Sequence, residues 1–490
     1  MTEHDMSISD IVSAEEWTAL CRQMADGQFN LLSLWGDDGF ARMAVWNTEE
    51  NTAHIVCIAS QNGAFPSVAQ HHPPALRLER AIKDLFGLVP LDTPDDRPWL
   101  DHDKWGVSAP LEKKLPPVPS TPYVFLPVEG ESLHKIPVGP VHAGIIEPGH
   151  FRFTASGETV VRLEERLGYV HKGIERLMAG ADLSHAVKLA GRVSGDSAVA
   201  YQLAFSRAAE KALDIKVPPR AHWLRALMAE LERIANHFGD IGAICNDAAF
   251  SLMLAHCGVL RERVLRAADA CFGHRLMRDL IVPGGVKADI GGAEAGILRA
   301  LLEKLQKDFP PLVRLYDNTP TLLERTVGTG ILRPRLARQY AAGGYIGRAS
   351  GRDFDARRMA GYSPYEELNF EVPVRVDSDV HARVWIRILE VQQSLALIGQ
   401  ILNSLPEGEI AADVPPVSAS CEGFALVEGF RGDIFVWLAL GEDGRVRRCH
   451  LRDPSWFQWP LLEAAIEGNI VADFPLCNKS FNCSYSGHDL

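Results

Sequence analysis

Short apolar runs separated by polar turns fill the chain from about Phe29 to Ser60. The apolar runs are Asn30–Trp35, Ala41–Trp46 and Ala53–Ala59, and the turns between them are Gly36–Gly39 and Asn47–Asn51. Such runs bounded by Gly, Asp and Asn are typical of strands in a meander. The flanking segments Ala14–Met24 and Ala75–Phe86 have the pattern of helices, and Gly87 ends the second one. These features predict a small α+β unit.

Beyond Tyr123 the apolar positions repeat at helical spacing. One stripe comprises Val384, Ile388, Val391, Leu395, Ile398 and Leu402. A second stripe follows Pro218 and Pro219 and comprises Leu224, Leu227, Leu231, Ile234 and Phe238. Spacings of three and four place each stripe on one helix face, and the prolines are suited to the first turn of a helix. We expect long core helices of roughly 20 residues in a mainly helical domain.

A proline-rich stretch separates the two parts. Five prolines lie between Pro110 and Pro122, together with Lys113 and Lys114, and this composition favours an extended linker. The predicted organisation is an α+β domain over residues 1–109, a linker over 110–122 and a larger domain over 123–490. A chain of 490 residues is long enough for two domains.

The net charge of the chain limits which partners are expected. The net charge is -13, which gives no attraction to phosphate backbones, so nucleic acid is not an expected partner. The stretch Ile331–Arg358 is an exception, with seven arginines against Asp353 and Asp355. It is either a solvated surface, or a buried arginine network or a contact between subunits.

The nine cysteines form no Cys-x-x-Cys pair. The pattern therefore supports neither a disulfide framework nor a sequence-local zinc or iron-sulfur site. Neither a signal-peptide pattern nor a run of 18 apolar residues occurs. We therefore expect a cytosolic chain without a membrane span, in contact with a membrane only through partner subunits.

Several runs occur in the order found in one known family. They are Leu78–Leu88, Asp95–Trp99, Gly139–Phe153, Gly168–Glu175, Arg192–Ser197, Gly347–Gly351 with Asp355 and Arg357, Gln393–Leu395, and Gly468–Pro475. The chain resembles the D-type subunits of NADH-quinone oxidoreductase (respiratory complex I) and the large subunits of energy-converting nickel-iron hydrogenases. A module similar to the C-type, thirty-kilodalton subunits of complex I precedes the D-like part, as in the formate hydrogenlyase type. The resemblance implies an α+β fold whose larger domain is mainly helical and begins with a short β-sheet.

The resemblance also locates the metal ligands of the hydrogenases. The hydrogenases hold nickel and iron with Cys-Gly-x-Cys and Asp-Pro-Cys-x-x-Cys motifs. The aligned positions here are Ser194, Ser197, Ser455 and Gln458. A hydroxyl or an amide does not replace a soft thiolate. Cys477 and Cys483 lie away from the matched positions and are interpreted as small core residues. We predict that the nickel-iron cluster is absent.

In complex I the same region forms the inner end of the quinone chamber. The resemblance implies that His142 or His150 corresponds to the histidine of the chamber loop and that Asp247 is the acid paired with it. Such a pair can supply protons to a quinone. The tyrosine that contacts quinone in complex I aligns with Gly195.

The resemblance places further residues at the same cavity. Asp196 should face it, with Arg192 or Arg348 as ion-pair partner, and these residues together with Gly195 are predicted to bind a cofactor. There are simpler alternatives. The histidines could stabilise turns, Asp247 could hydrogen-bond helix ends, and Arg348 with Asp355 and Arg357 could form a structural ion network.

Three functional hypotheses follow. The first is an electron-transfer subunit of a membrane-bound, complex I-like oxidoreductase, with a cavity for quinone or for conformational coupling. Its partners would be an iron-sulfur small subunit, which holds the cluster, and antiporter-like membrane subunits on the cytoplasmic side of the inner membrane. NADH oxidation would occur on another subunit, since no Gly-x-Gly-x-x-Gly loop is evident. The second hypothesis is a silent scaffold in the same kind of complex, and the third is a hydrogenase with unusual ligands.

Overall fold

The computed structural model describes residues 9–112 and 122–490. The N-terminal unit contains a four-stranded sheet in the order β1-β4-β3-β2, and its antiparallel strands β2 to β4 confirm the predicted meander. A capping box of Ser13 and Glu16 begins α1, and Gly87, with φ of 70°, ends α2. The elements are β1 (Asp10–Ile11), α1 (Ala14–Ala25), β2 (Phe29–Asp37), β3 (Phe40–Asn47), β4 (Thr52–Ala59), β5 (Ala64–Pro66), α2 (Leu76–Phe86) and β6 (Val89–Leu91).

The larger part begins with the short sheet that the resemblance implied, formed by three antiparallel strands in the order β7-β8-β9. Helices then dominate, which confirms the α+β class. The elements are β7 (Leu133–Val138), β8 (His150–Ser156), β9 (Thr159–Arg166), α3 (Ile174–Met178), α4 (Leu183–Ala190), α5 (Ala198–Leu213), α6 (Pro219–Asp247), α7 (Ser251–Phe272), β10 (Ile281–Val282), β11 (Gly285–Val286), α8 (Gly292–Asp317), α9 (Pro320–Thr326), α10 (Pro334–Gln339), α11 (Gly344–Ala349), α12 (Val380–Ser404), β12 (Cys421–Gly429), β13 (Gly432–Leu440), β14 (Val446–Arg452), α13 (Ser455–Ala465), α14 (Phe474–Phe481) and α15 (Tyr485–Asp489).

The two long helices predicted from apolar stripes are α6 and α12. Pro219 is the first residue of α6, where its missing N–H costs nothing, and Asp379 caps α12 by accepting from the amide of Ala382. Both apolar stripes lie in one hydrophobic core, and the two helices pack against each other. Among the described helices, none combines the length and the apolar character needed to cross a bilayer.

Strands β12 to β14 form a second antiparallel sheet that the sequence patterns missed. Both of its faces are covered, and its central strand β13 is a continuous apolar run from Ile434 to Leu440 without alternation. Helix α5 packs on one face, close enough that a Cβ at Gly423 would clash with the Ala208 carbonyl oxygen. On the other face, the Trp35 ring of β2 lies 5.5 Å from that of Trp437. This sheet therefore joins the N-terminal unit to the helical part.

Charged and polar contacts also fasten the N-terminal unit to this sheet. Arg42 pairs with Glu422 at 3.2 Å, and Arg447 pairs with Asp37 at 2.7 Å. Of the predicted linker 110–122, residues 113–121 lie outside the described residues. The domain boundaries at 109 and 123 stay predictions.

Candidate functional site

The four positions that align with hydrogenase cysteines lie at the starts of two helices. Ser194 and Ser197 precede α5, and Ser455 and Gln458 lie in the first turn of α13. All four side chains are buried. The fold thus brings together two segments that are far apart in the sequence, as the resemblance implied.

Hydrogen bonds within the protein engage these side chains. Ser484 connects the two segments, because its hydroxyl lies 3.1 Å from Ser194 Oγ and its backbone N–H donates to Ser455 Oγ at 2.8 Å. Gln458 Nε2 donates to the carbonyl of Arg431 at 2.8 Å. These hard, neutral groups do not fit a nickel-iron cluster, which requires thiolates.

An ion pair lies beside the four positions. Arg431, in the turn between β12 and β13, donates to both carboxylate oxygens of Asp196, at 2.8 Å from Nη1 and 2.5 Å from Nη2. Ser194 Oγ also donates to this carboxylate, at 2.7 Å. Burial opposes ionisation of Asp196, but Arg431 outweighs it and holds the pKa of the carboxyl at about 2. Asp196 is therefore a carboxylate at neutral pH, and its charge is neutralised within the chain.

The predicted partners of Asp196 are wrong. Arg192 forms a surface ion pair with Asp279 at 2.6 Å. Arg348 is fully buried and lies within 2.9 Å of carboxylate oxygens of both Glu390 and Glu428. The true partner is missed because it lies 235 residues beyond Asp196, and no local pattern distinguishes its turn. Cofactor binding by Arg192 and Arg348 stays a prediction.

A buried acid adjoins the ion pair. Glu232 accepts hydrogen bonds from the amides of Val199 and Ala200, at 2.7 and 3.1 Å, and so satisfies the first turn of α5. Burial raises the pKa of Glu232 to about 8, although these two amides act against the shift. The negative charge of Asp196 contributes to this raised pKa. Sequence patterns did not identify Glu232.

A second buried pair joins a histidine to a carboxylate. His237 Nε2 lies 2.7 Å from Glu390 Oε2, and Arg348 holds the other carboxylate oxygen at 2.7 Å. Arg357 pairs with Asp355 at 2.7 Å, and Arg348 lies 3.5 Å from the same carboxylate. The structural ion network considered as an alternative for these three residues is therefore present. Burial lowers the pKa of His237, and Glu390 opposes that shift. No sequence pattern marked His237, although it lies on the same helix as the predicted Asp247.

The predicted histidine-acid pair does not form. His142 Nε2 lies 3.3 Å from the hydroxyl of Tyr485, and His150 Nδ1 lies 3.3 Å from the Gly139 carbonyl oxygen. Asp247 is at the end of α6, where its described hydrogen bond is to the neighbouring Asn246 at 3.5 Å. Burial raises the pKa of Asp247. The described hydrogen bonds and ion pairs of His142 and His150 do not include Asp247, and the catalytic roles of the three residues stay predictions.

Gly195 borders a small cavity with Asp196 and Glu232. Its volume is about 20 Å³, which is room for roughly one water molecule. A Cβ atom built on Gly195 would contact only the flexible end of Arg278, at 3.4 Å. The position can therefore accept a side chain.

Cysteines do not take over the metal positions. Cys477 and Cys483 are buried in the hydrophobic core, and burial raises the pKa of the Cys477 thiol to about 11. Within residues 9–112 and 122–490, no three His, Cys, Asp or Glu side chains are arranged to hold a metal ion.

Comparisons with known proteins agree with this architecture. Residues 11–120 match the family model of the 30 kDa subunit of respiratory-chain NADH dehydrogenase. Residues 240–422 match that of the 49 kDa subunit of the same enzyme. Both matches occur in one chain, in the order of a fused C/D protein.

Individual relatives extend the match over most of the chain. Formate hydrogenlyase subunit 5 of Escherichia coli K12 is 31% identical over 87% of this chain and 77% of its own length. The D-type subunit of NADH-quinone oxidoreductase from Dehalococcoides mccartyi is 31% identical over 69% of this chain and 92% of its own length. A chain of the membrane-bound sulfane sulfur reductase, an archaeal respiratory membrane complex, matches with a TM-score of 0.70 and 25% identity, covering 74% of this chain and 100% of that one. The chain belongs to the family of fused complex I C/D subunits and related hydrogenase subunits.

Proposed function

We propose that this chain is a peripheral subunit of a membrane-bound, complex I-like respiratory oxidoreductase and carries no nickel-iron centre. Its similarity to formate hydrogenlyase subunit 5, to the D-type subunit of NADH-quinone oxidoreductase and to the sulfane sulfur reductase complex supports the assembly. The chain would join an iron-sulfur small subunit to antiporter-like membrane subunits, on the cytoplasmic side of the membrane.

The ion pair of Asp196 and Arg431 is the observation that carries the metal-free assignment. A guanidinium hydrogen-bonded to a carboxylate lies beside the four substituted positions, so the charged groups here are paired within the protein. Asp196 is thus engaged by Arg431, and the neighbouring hydroxyls are weak ligands for nickel. The chain would therefore act by docking and by conformational coupling, while electrons pass through the partner's cluster.

Metal analysis of the purified assembly tests this proposal. We expect iron from the iron-sulfur partner and no stoichiometric nickel by elemental mass spectrometry, because all four thiolates are missing. The iron signal is the internal control for cofactor loss during purification. Close to one nickel per chain, retained through chelation, would overturn the proposal.

Quinone reduction is a second candidate function, favoured by one contact. His142 Nε2 meets the Tyr485 hydroxyl at 3.3 Å, and the side chains of Val141 and Ile145 on the same loop are highly exposed. A histidine and a phenol beside exposed apolar side chains could protonate a quinone bound at this loop.

A conservative variant tests this candidate. If Tyr485 donates a proton, Tyr485→Phe should lower quinone reductase turnover by about 100-fold, because the ring is kept and the hydroxyl is lost. The control is His134→Gln, which alters an exposed histidine of β7. Assembly is checked by size-exclusion chromatography. Unchanged turnover in a fully assembled Tyr485→Phe complex would leave docking and coupling as the function.

A further inference from the structure

Three exposed arginines lie together at the short helix α10, in the arginine-rich stretch that stands out in the sequence. Arg333 immediately precedes the helix, and Arg335 and Arg338 lie on it. The structure divides the stretch into two parts. Arg348 and Arg357 belong to the buried ion network, whereas the side chains of the first three are exposed. We refer to these three as the α10 arginines.

The α10 arginines have a fixed support. Pro334 is the first residue of the helix, where its ring suits the backbone geometry. Leu332 and Ala337, one on each side of this proline, are buried in the hydrophobic core. Residues three apart on a helix are neighbours, so Arg335 and Arg338 lie side by side on the outer face. The two guanidinium groups are therefore presented together.

No carboxylate of the protein neutralises these charges. Among the described residues, none forms a hydrogen bond or an ion pair with the guanidinium groups of the α10 arginines. Glu467 follows α13, and burial raises its pKa while Arg333 opposes this shift without an ion-pair contact. In the same segment, Glu463 pairs with Arg77 at 2.8 Å. The positive charge of α10 thus stays uncompensated.

This arrangement differs from other parts of the surface. Arg192 pairs with Asp279 at 2.6 Å, and Arg266 pairs with Glu262 at 3.0 Å. The chain as a whole has a net charge of -13, so acidic residues are abundant. Three adjacent positive charges repel one another. Their grouping without acids, on an acidic protein, favours a negatively charged partner at this surface.

Exposed aliphatic side chains precede the arginines. Val327 and Ile331 lie in the segment that joins α9 to α10, and they are 55% and 51% exposed. Arginine is enriched at protein interfaces, and its guanidinium can bind a carboxylate through two parallel hydrogen bonds. Aliphatic side chains beside such arginines add apolar area that a partner can cover. This combination suits an acidic polypeptide segment.

A bilayer and a second copy of the chain fit this surface less well. Basic clusters that bind anionic lipid contain about four to eight residues, and lipid-binding helices turn an apolar face to the bilayer. The apolar residues Leu336 and Tyr340 at α10 pack instead against the protein core. In a symmetric dimer at this surface, the α10 arginines of the two copies would face each other and repel.

We propose that the α10 arginines, together with Val327 and Ile331, form a docking surface for an acidic segment of another subunit. Carboxylates of that segment accept hydrogen bonds from Arg335 and Arg338, and its apolar side chains cover the two aliphatic residues. The inference rests on the proposed function, because it takes the chain to be part of an assembly. It adds the chemistry by which one partner binds.

Site-specific photo-cross-linking in the purified assembly tests the proposal. Gln339, the exposed last residue of α10, is replaced by the photoreactive amino acid benzoylphenylalanine. We expect illumination to join this chain to another subunit, at a peptide that contains Asp or Glu residues and is identified by mass spectrometry. The same probe at Gln306, an exposed residue of α8, is the matched control and should give at least tenfold less of this product.

Charge variants measure the electrostatic part of the contact. The concentration at which the diluted assembly dissociates is followed by native mass spectrometry. Arg335→Glu combined with Arg338→Glu should raise it about tenfold, because carboxylates would then meet carboxylates. Lys304→Glu combined with Lys307→Glu, at exposed positions of α8, makes the same change in net charge and should leave it unaltered. Denaturant unfolding confirms that the variants are folded.

The outcomes separate this inference from the proposed function. A wild-type chain that is isolated without any partner subunit would overturn both. An intact assembly that cross-links at Gln339 only to lipid, to a second copy of the chain or to a segment without acidic residues would overturn the docking surface alone. Equal dissociation of the folded α10 double variant and the wild type would do the same.

Discussion

Arg431 donates two hydrogen bonds to Asp196 beside the positions where related hydrogenases hold their metal ligands. Arg431 comes from the turn between β12 and β13, and Asp196 precedes α5, so the pair also joins the second sheet to the helical core. The ion pair is thus part of the packing of the protein. The pair gives the region a structural role that can be measured.

Asp196→Asn should destabilise the protein by about 3 kcal/mol, because the shape is kept while Arg431 loses its counter-charge in a buried setting. Denaturant unfolding of the variant and the wild type measures the difference. Asp279→Asn is the matched control, since its partner Arg192 is at the surface and such a pair contributes about 0–1 kcal/mol. Equal losses in the two variants would contradict a buried, structural role for the Asp196 pair.

Glu232 should make stability depend on pH. Its pKa is about 8 in the folded protein and about 4.3 in an unfolded chain. Between these two pH values the folded protein binds a proton at Glu232 that the unfolded chain does not bind. The contribution of Glu232 to the free energy of unfolding should therefore be greatest below about pH 4 and should decline as the pH rises to about 8. Glu232→Gln should remove this decline. The free energy of unfolding of both proteins, measured from about pH 5 to 8, checks it, and parallel curves would refute the assignment.

Ser33→Ala should loosen the contact between the N-terminal unit and the second sheet. Loss of the hydroxyl leaves His450 Nε2 buried without its partner, at a cost of about 1–3 kcal/mol. Ser184→Ala, at an exposed position of α4, is the control and should change stability by less than about 0.5 kcal/mol. An unchanged free energy of unfolding in Ser33→Ala would contradict a linking role for this hydrogen bond.

Gly195→Tyr should assemble normally, because a Cβ at this position contacts only the mobile end of Arg278. It restores the residue type that complex I has there. We expect no gain in binding of a quinone analogue, because the adjoining cavity of about 20 Å³ is too small for a quinone ring. Gly347→Ala is the contrasting variant and should fail to assemble, because its Cβ would clash with the Ala342 carbonyl oxygen. Tighter analogue binding by Gly195→Tyr would reopen the quinone site predicted there.

The sequence by itself determined the local elements and the family. The meander of β2 to β4 and the helices α6 and α12 follow from apolar spacing, since a strand or helix exposes one face to the core at a fixed period. The ordered motifs identified the family, and the loss of thiolates was evident from four positions alone. These features are encoded within short segments.

Only the tertiary structure decided which distant groups meet. Arg431 replaces the predicted partners of Asp196, and His142 meets Tyr485 while Asp247 meets Asn246. The central strand β13 of the β12–β14 sheet escaped prediction because burial on both faces removes the alternation that marks a strand. Ion pairs and cavity walls combine side chains from segments hundreds of residues apart, and the free energy that selects each partner depends on burial and distance in the folded chain. The spacing of apolar residues along the chain does not encode the burial or the distance of these side chains in the folded protein.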